Sequence, residues 1–336
     1  MKNVLVTGGA GFIGSNFVRH FLRAHPEVTL VNFDALTYAG NLENLVGIDA
    51  EPHYHFVRGD ICDRSAVDRA LKEFAVDTVV HFAAESHVDR SIMGAAIFIK
   101  TNVLGTQVLL EAAKEHAVER FLHVSTDEVY GDVVREGSFR ETDALRPSSP
   151  YSASKAAADV FVLGYARTYD LQASITRCTN NYGPFQFPEK LIPKTIIRAS
   201  LGLKVPLYGS GRNVRDWIHV EDHCRAVEMV LNHGRPGEIY NISSKTEKTN
   251  LEVVKTILGI MDKSEETIEF VDDRPGHDVR YSLDSSKIEQ DLKWKTKRSF
   301  EQGLHDTVRW YGSHETWWKP LADDKVLSPT PWRVAW

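Results

Sequence analysis

The chain has 336 residues, of which 42% are hydrophobic and 26% charged, and its formal net charge at pH 7 is −6. This composition is typical of a globular protein with a large core, and it excludes a disordered chain and a broad nucleic-acid-binding surface. The three cysteines, Cys62, Cys178 and Cys224, have neither the number nor the spacing of a disulfide framework or a zinc site, so no metal site is predicted.

Cellular location is predicted from the first residues and from the apolar runs. The sequence begins MKNVLVTGG, which has a strand pattern where a secretory signal would have an apolar helix and a cleavage site. No run approaches the roughly 18 apolar residues of a transmembrane span. Together with the scattered cysteines, these features predict a cytoplasmic protein in a reducing compartment.

Short apolar segments alternate with segments of helical spacing through the first half of the chain. The predicted strands are 3–7, 28–33, 54–58, 77–83, 120–125 and 173–177, and the predicted helices are 12–24, 63–74, 97–116 and 151–169. Strands that are apolar on both faces and alternate with helices are typical of a parallel sheet covered on both sides. The predicted fold class is therefore α/β, with a Rossmann-type doubly wound parallel sheet.

The pattern changes after Arg177. A proline-rich loop comes first and is followed by a short helix at about 191–202. Segment 216–243 has a βαβ-like pattern that predicts a return to the main sheet. We therefore expect one domain of residues 1–177 and 216–243, and a smaller, discontinuous α/β domain of residues 178–215 and 244–336.

A glycine-rich segment, VTGGAGFIGSNFV (6–18), follows the first strand and opens the first helix. Its Gly8 or Gly9, Gly11 and Gly14 fit the dinucleotide fingerprint, in which glycines permit a tight turn and close approach of the backbone to a pyrophosphate. Asp34 ends the second strand, where a carboxylate accepts hydrogen bonds from a ribose diol and repels a 2′-phosphate. This combination favours NAD over NADP.

The ends of the third and fourth strands also carry residues suited to ligand binding. Asp60 follows the third strand and can hold an adenine amine, while Ala83 and Ala84 follow the fourth and leave room for a cofactor. Open α/β sheets bind their ligands at the carboxyl ends of the strands. We therefore expect the cofactor along this edge.

The helix at 151–169 begins with YSASK, which places Tyr151 and Lys155 on one helix face. A lysine ammonium near a phenol favours the phenolate and lowers the tyrosine pKa, which makes a base for a hydroxyl proton while hydride leaves the same carbon. Thr126 can hydrogen-bond the reacting hydroxyl. Beside it, Asp127 and Glu128 are either a turn or helix cap, or an acid and a base.

Ten motifs extend over nearly the whole chain: TGGAGFIGSNFV, DALTYAGNLENL, GDICD, HFAAESHVDRSI, TNVLGT, STDEVYG, PSSPYSASKAAAD, NNYGPFQFPEKLIP, GSGRNVRDWIHVEDH and DRPGHDVRYS. Through them the chain resembles the extended short-chain dehydrogenase/reductases that act on nucleotide sugars. STDEVYG, NNYGPFQFPEKLIP and DRPGHD are the most specific, and they resemble the sugar 4,6-dehydratases of this family. The pattern departs from the family at Thr179, Phe185 and Lys194, the last of which replaces an apolar residue.

The resemblance implies NAD-dependent 4,6-dehydration of dTDP-glucose to a 4-keto-6-deoxy sugar. It implies that Tyr151 takes the O4 proton as hydride passes from C4 to NAD, that Glu128 removes the C5 proton, and that Asp127 protonates the departing C6 hydroxyl. Hydride then returns to C6, so NAD is regenerated and tightly held. The implied catalytic residues are Thr126, Asp127, Glu128, Tyr151 and Lys155.

The remaining site residues divide into two groups. The predicted cofactor-binding residues are Gly8, Gly11, Phe12, Ile13, Gly14, Asp34, Leu36, Thr37, Asp60, Ile61, Phe82, Ala83, Ala84, Ser86, Thr101, Tyr151, Lys155 and Asn181. The substrate-binding residues that the resemblance implies are Ser86, His87, Thr126, Asn180, Glu189, Lys190, Leu191, Pro206, Tyr208, Arg215, Asn250, Arg274, His277 and Tyr281. The resemblance also implies a homodimer, formed as a four-helix bundle by helices 97–116 and 151–169.

Several alternatives stay open at this point. One alternative is the same chemistry on UDP-glucose. Its nucleobase, uracil, lacks one methyl group of thymine, which is worth only about 1–3 kcal/mol of discrimination. The other possibilities are a UDP-sugar 4-epimerase of the same fold, a decarboxylase of the same fold and a non-catalytic NAD-binding regulator. The product could enter rhamnose or another deoxysugar pathway, and the tryptophan-rich tail, WWKP and TPWRVAW, could dock on the second domain or on a partner.

Overall fold

The computed structural model describes residues 1–133 and 136–334. Its strands and helices in chain order are β1 (Asn3–Thr7), α1 (Phe12–Ala24), β2 (Thr29–Asp34), β3 (Tyr54–Arg58), α2 (Arg64–Glu73), β4 (Thr78–His81), α3 (Val88–Met93), α4 (Ala96–Phe98), a π-helical segment (Ile99–Gly105), α5 (Thr106–Glu115), β5 (Arg120–Thr126), α6 (Pro150–Tyr169), β6 (Ala173–Cys178), β7 (Asn180–Tyr182), α7 (Leu191–Ser200), β8 (Val205–Tyr208), β9 (Val214–His219), α8 (Val220–His233), β10 (Ile239–Ile242), β11 (Glu247–Thr249), α9 (Asn250–Ile260), β12 (Ile268–Val271), α10 (Ser286–Leu292), α11 (Phe300–Ser313) and α12 (Glu315–Trp318).

The main sheet has seven strands in the order β10-β6-β5-β4-β1-β2-β3, and every pairing in it is parallel. This confirms the predicted fold class. The chain leaves β1 toward β2 and β3, then crosses over to β4, so the direction of winding reverses between β1 and β4. Thr7 is level with Phe33 on β2 and with His81 on β4, so the carboxyl ends meet at one edge, beside the switch point where such sheets bind ligands.

Two apolar layers cover the sheet because successive side chains of a strand point to opposite faces. On β1, Val4 and Val6 belong to the layer under α1 and α8, while Leu5 between them belongs to the layer under α2, α5 and α6. All three side chains are fully buried. This two-sided burial explains why the inner strands carry apolar side chains on both faces.

The second part of the chain forms two small sheets outside the main one. One has the order β11-β9-β7, the other pairs β12 with β8, and α7, α9 and α11 pack around a separate core. Segment 216–243 was expected to return to the main sheet. Its last strand, β10, does so beside β6, and its helix, α8, packs on α1. Its first strand, β9, does not return to the main sheet, because it pairs with β7 and β11.

The predicted helix 97–116 is interrupted by the π-helical segment. Asn102 in that segment accepts a hydrogen bond from the Glu85 backbone N–H at 2.8 Å and donates to Glu85 O at 2.9 Å and Ser154 Oγ at 2.8 Å. These bonds join the loop after β4 to α6. Within the described ranges, none of the helices combines the length and apolarity that a membrane span requires.

Candidate active site

Two adjoining cavities open at the carboxyl edge of the main sheet. The first, of about 350 Å³, lies over β1, β2 and β4, and the second, of about 160 Å³, lies between the main sheet and the second part of the chain. Both are lined by Glu128, Asn180, Asn181, Gln186, Glu189 and Lys190. A ligand in the first cavity and one in the second would therefore meet at these residues.

The glycine-rich loop forms the floor of the first cavity. Gly8 has a φ of +72°, which only glycine adopts without strain. A Cβ on Gly14 would lie 2.1 Å from the Gly8 carbonyl oxygen, so the first turn of α1 can pack against the loop only without a side chain there. The backbone can therefore approach a ligand closely, as the fingerprint predicts.

Asp34 closes the far end of this loop. Its Oδ2 accepts a hydrogen bond from Ala10 N at 2.9 Å, and its Oδ1 accepts one from Leu36 N at 2.8 Å. Burial raises the pKa of Asp34, and the two backbone bonds oppose that rise. Each oxygen keeps further acceptor capacity, so the carboxylate is fixed in place and still able to bind a diol.

The predicted cofactor residues converge in the first cavity with one exception. Leu36 is not part of the lining, and its contribution is the backbone N–H that holds Asp34. The lining comprises the other predicted residues: Gly8, Gly11, Phe12, Ile13, Gly14, Asp34, Thr37, Asp60, Ile61, Phe82, Ala83, Ala84, Ser86, Thr101, Tyr151, Lys155 and Asn181.

The turn after β5 decides between the two interpretations of Asp127 and Glu128. The capping role belongs to Thr126, whose Oγ1 accepts a hydrogen bond from Glu128 N at 3.3 Å. The same hydroxyl donates to Asp127 Oδ1 at 3.1 Å. Asp127 Oδ2 is buried and has no hydrogen-bond partner in the described residues. Neither carboxyl group is used as a cap, and both line the first cavity.

The two carboxyl groups differ in their electrostatic surroundings. Burial, followed by the Glu128 charge, raises the pKa of Asp127 well above its ordinary value. Burial also raises the pKa of Glu128, but the Arg274, Arg215 and Lys190 cations oppose that rise. Asp127 is therefore favoured as the protonated group and Glu128 as the ionised one, which is the arrangement of an acid beside a base.

Tyr151 and Lys155 lie one turn apart at the start of α6, but their contact differs from the prediction. Lys155 Nζ donates to Val124 O at 2.8 Å and lies 3.4 Å from His123 Nε2, so the ammonium is bound to the sheet. Burial lowers the Lys155 pKa to about 8. The predicted lowering of the Tyr151 pKa is wrong for this structure, because burial and then Glu128 raise that pKa well above its usual value.

The second cavity gathers the remaining predicted residues. It is lined by His87, Asn180, Glu189, Lys190, Leu191, Pro206, Tyr208, Arg215, Asn250, Arg274, His277 and Tyr281, whereas Ser86 and Thr126 line the first cavity. Three of these residues carry fixed positive charge. The Arg215 guanidinium lies 4.2 Å above the Tyr281 ring and donates to Asp278 O at 2.9 Å, so it is held in place. The cavity therefore suits an anionic ligand.

Burial also sets the protonation of a polar pair at the junction of the cavities. His87 Nε2 lies 3.5 Å from Glu189 Oε2. Burial lowers the pKa of His87 well below its usual value and raises that of Glu189 to about 7. At neutral pH this pair offers a neutral imidazole and a partly protonated carboxyl group, both suited to hydrogen bonding with hydroxyl groups.

Sequence reasoning missed two residues that position this site. Asp89 is buried and accepts hydrogen bonds from Arg274 Nη1 at 2.9 Å and from Tyr208 OH at 3.1 Å. Tyr38 donates its hydroxyl proton to Glu189 Oε1 at 3.1 Å. Both stand inside motifs that were recognised, HFAAESHVDRSI and DALTYAGNLENL, but their partners lie more than 100 residues away. No local pattern indicates such contacts.

Comparisons with known proteins agree on one family. Residues 5–307 match the family model described as GDP-mannose 4,6 dehydratase. A dTDP-glucose 4,6-dehydratase of Neisseria meningitidis serogroup B is 50% identical, over 95% of this chain and 96% of that protein.

The similar solved structures include a dehydratase and an epimerase. The crystal structure of a dTDP-glucose 4,6-dehydratase from Streptomyces venezuelae with NAD bound has a TM-score of 0.93 and 52% identity, over 95% of this chain and 100% of that chain. A UDP-glucose 4-epimerase of Thermus thermophilus in complex with NAD has a TM-score of 0.86 and 32% identity, over 93% of this chain and 99% of that chain.

Proposed function

The chain belongs to the GDP-mannose 4,6 dehydratase family, within the extended short-chain dehydrogenase/reductases, and from that premise we propose that it catalyses the NAD-dependent 4,6-dehydration of dTDP-glucose to dTDP-4-keto-6-deoxy-glucose. It is a hydro-lyase. The observation that carries the proposal is the junction of the two cavities, where a buried carboxyl group, Asp127, stands beside a carboxylate held among cations, Glu128.

The first cavity fits NAD. Gly8, Gly11 and Gly14 leave the loop without side chains where a pyrophosphate approaches, and the fixed Asp34 carboxylate accepts from a ribose diol. The same carboxylate repels a 2′-phosphate. NAD, when bound, supplies a hydride acceptor for C4 and later a hydride donor for C6, so the reaction has no net redox change.

Tyr151 removes the proton of the sugar O4. Only the phenolate form of Tyr151 can accept this proton as the hydride leaves C4, and burial, which raises the pKa of the phenol, opposes that form. The Thr126 hydroxyl lies beside Tyr151 and hydrogen-bonds the same oxygen. Lys155, with a pKa of about 8, stays mostly protonated at neutral pH and supplies positive charge to the same cavity, which favours the phenolate.

Glu128 and Asp127 act on neighbouring carbons of the resulting ketone. The carbonyl at C4 acidifies the C5–H bond, and the Glu128 carboxylate takes that proton. Asp127, protonated because it is buried, donates its proton to O6, so the C6–O bond breaks and water leaves. Glu128 then returns its proton to C5 as hydride arrives at C6.

The second cavity holds the nucleotide end of the substrate. Lys190, Arg215 and Arg274 supply charge for a diphosphate, and Arg215 and Arg274 have the planar geometry for paired contacts. Glu189 and His87, at the junction, hydrogen-bond the sugar hydroxyls. A diphosphate held in this way would leave C4, C5 and C6 next to the first cavity.

The test is a turnover assay with the purified protein. Without added NAD, it is incubated with dTDP-glucose and, in parallel, with UDP-glucose, and the product masses are measured. Loss of one water from dTDP-glucose alone is the expected result. Equal water loss from UDP-glucose would contradict the preference for thymine over uracil. An unchanged mass with formation of a stereoisomer would identify a 4-epimerase.

We also propose that the chain divides into two domains, one for each cavity. Residues 1–177 and 216–243 would form the NAD-binding domain, and residues 178–215 and 244–336 the nucleotide-sugar-binding domain. Strands β1 to β6 and β10 in the main sheet support this proposal, although β9 lies in the other sheet. Residues 134–135 and 335–336 lie outside the described residues.

We further propose a homodimer formed by the outer faces of the 96–115 segment and α6. These helices pack side by side, and they carry exposed apolar side chains outside the first cavity: Ile99, Leu104, Val160 and Phe161. A second copy related by a two-fold axis would cover this stripe as a four-helix bundle. Light scattering of the purified protein should give twice the chain mass, and a Phe161→Asp variant should give the single mass.

A cytoplasmic location is consistent with the thiol chemistry. Cys62, Cys178 and Cys224 are all free, and Cys178 and Cys224 are buried. We therefore propose that the protein works in a reducing compartment.

A further inference from the structure

Lys194 is a buried cation in the wall of the second cavity. It lies in the first turn of α7, one turn after Lys190, and is 5% exposed. Its Nζ donates one hydrogen bond, to Ser328 O at 3.2 Å, and it forms no ion pair within residues 1–133 and 136–334. An ammonium has three donors. Two of them are therefore unused by the described chain.

A buried ammonium with unused donors is unfavourable on its own. The Asp89 and Glu189 carboxylates attract it without forming an ion pair, and burial lowers its pKa to about 8. Burying a charge costs free energy unless it is paired and hydrogen-bonded. An oxygen acceptor inside the cavity would satisfy the free donors.

The carboxyl-terminal segment 326–333, which we call the C-terminal strap, holds Lys194 in this position. Arg198, one turn further along α7, donates to Leu327 O at 2.6 Å, so consecutive strap carbonyls bind consecutive cations of the helix. Trp332 packs edge-on against Tyr208 with ring centroids 4.6 Å apart. The strap lies beyond residue 307, where the family model ends.

We propose that Lys194 is a nucleotide-binding residue of this chain, whose ammonium donates to an oxygen of the nucleoside diphosphate while the Ser328 carbonyl holds it in the cavity wall. This proposal rests on the proposed function of the second cavity. A charge-assisted hydrogen bond from a buried donor typically changes affinity by about tenfold or more. Lys194 would therefore contribute to substrate affinity without taking part in the proton transfers.

The test compares Lys194→Met with a matched control, Arg198→Met. Both residues are buried cations of α7 that bind a strap carbonyl, but Arg198 is not part of the cavity lining. We expect the dissociation constant of dTDP, measured by titration calorimetry on the holoenzyme, to rise about tenfold in Lys194→Met and to stay unchanged in Arg198→Met. Lys194→Arg should recover part of the affinity.

Two ligands locate the acceptor oxygen. An equal loss of affinity for dTDP and for dCDP in Lys194→Met places the acceptor oxygen on the diphosphate or on the 2-oxo group that the two bases share. A larger loss of affinity for dTDP places the acceptor oxygen on the 4-oxo group, which cytosine lacks. Unchanged dTDP affinity in Lys194→Met, or an equal loss of dTDP affinity in Lys194→Met and Arg198→Met, would overturn the proposal. Failure of the wild-type protein to dehydrate dTDP-glucose would instead contradict the proposed function.

Discussion

Asp127 and Glu128 are adjacent in the chain, yet their carboxyl groups face different surroundings. Asp127 is 3% exposed, lines only the first cavity and has one oxygen without a partner in the described residues. Glu128 lines both cavities and lies in the field of Arg274, Arg215 and Lys190. Their surroundings therefore favour different protonation states, which a dehydration requires.

Replacement of the acid should stop the reaction after oxidation. Asp127→Asn keeps the size of the side chain but cannot donate a proton to O6, so we expect dehydration to slow by about 10²–10⁴-fold. C4 oxidation does not need Asp127, and reduced cofactor should accumulate. Stopped-flow absorbance of reduced nicotinamide, together with product mass, measures both effects. Loss of the absorbance rise as well would show that Asp127 acts before elimination.

Replacement of the base should slow the loss of the C5 proton. Glu128→Gln retains a hydrogen-bonding group but cannot take the C5 proton, so turnover should fall by about 10²–10⁴-fold, and deuterium from D₂O should enter C5 of the product at the same reduced rate. Mass spectrometry of the product over time measures the label. Incorporation of deuterium at the wild-type rate in the variant would assign the C5 proton to another group.

The Lys190 charge should influence the pH profile. A nearby cation lowers the pKa of the Glu128 carboxyl group, so Lys190→Met should raise that pKa and move the acidic limb of kcat/KM to higher pH. Lys190→Arg keeps the charge and is the matched control, whose acidic limb should stay in place. A limb that moves equally in both variants would contradict the electrostatic explanation.

A buried ion pair below the catalytic lysine should dominate the stability of α6. Arg177 Nε donates to Asp159 Oδ2 at 2.8 Å, and the two side chains are 2% and 0% exposed. Asp159→Asn leaves the Arg177 charge buried without its counter-ion, so we expect the free energy of unfolding to fall by about 3–5 kcal/mol. Urea denaturation measures the change.

The double variant tests whether the unpaired buried charge causes the loss of stability. Asp159→Asn with Arg177→Met removes both charges, so it should recover part of the lost stability. An additive, larger loss in the double variant would show that the two residues stabilise the fold through separate contacts.

The glycine loop should not tolerate a methyl group at Gly14. A Cβ there would lie 2.1 Å from Gly8 O, so Gly14→Ala must shift the loop that forms the floor of the first cavity. We expect NAD retention after purification to be lost. Gly259→Ala, in α9, is the control, because a Cβ there has no described atom within 4 Å. It should retain NAD and gain about 0.5–1 kcal/mol of stability.

The sequence alone determined the features that depend on local periodicity. The inner strands of the main sheet are buried on both faces, so their apolar runs were visible without knowledge of their neighbours, and β1 and the edge strand β3 begin and end where predicted. Gly14 and Asp34 were recognisable because the loop fingerprint is continuous in the chain. Tyr151 and Lys155 lie on one face of α6 because the helical repeat places them there.

The tertiary structure decided everything that depends on burial or on partners distant in the chain. Which carboxyl group is the acid follows from the burial of Asp127 and from the cations around Glu128, which come from three separate segments. The Lys155 ammonium bonds to the sheet because Val124 O lies within its reach. The C-terminal strap reaches Lys194 across 134 residues. Desolvation and long-range contacts exist only after the chain has folded, so no local pattern encodes them.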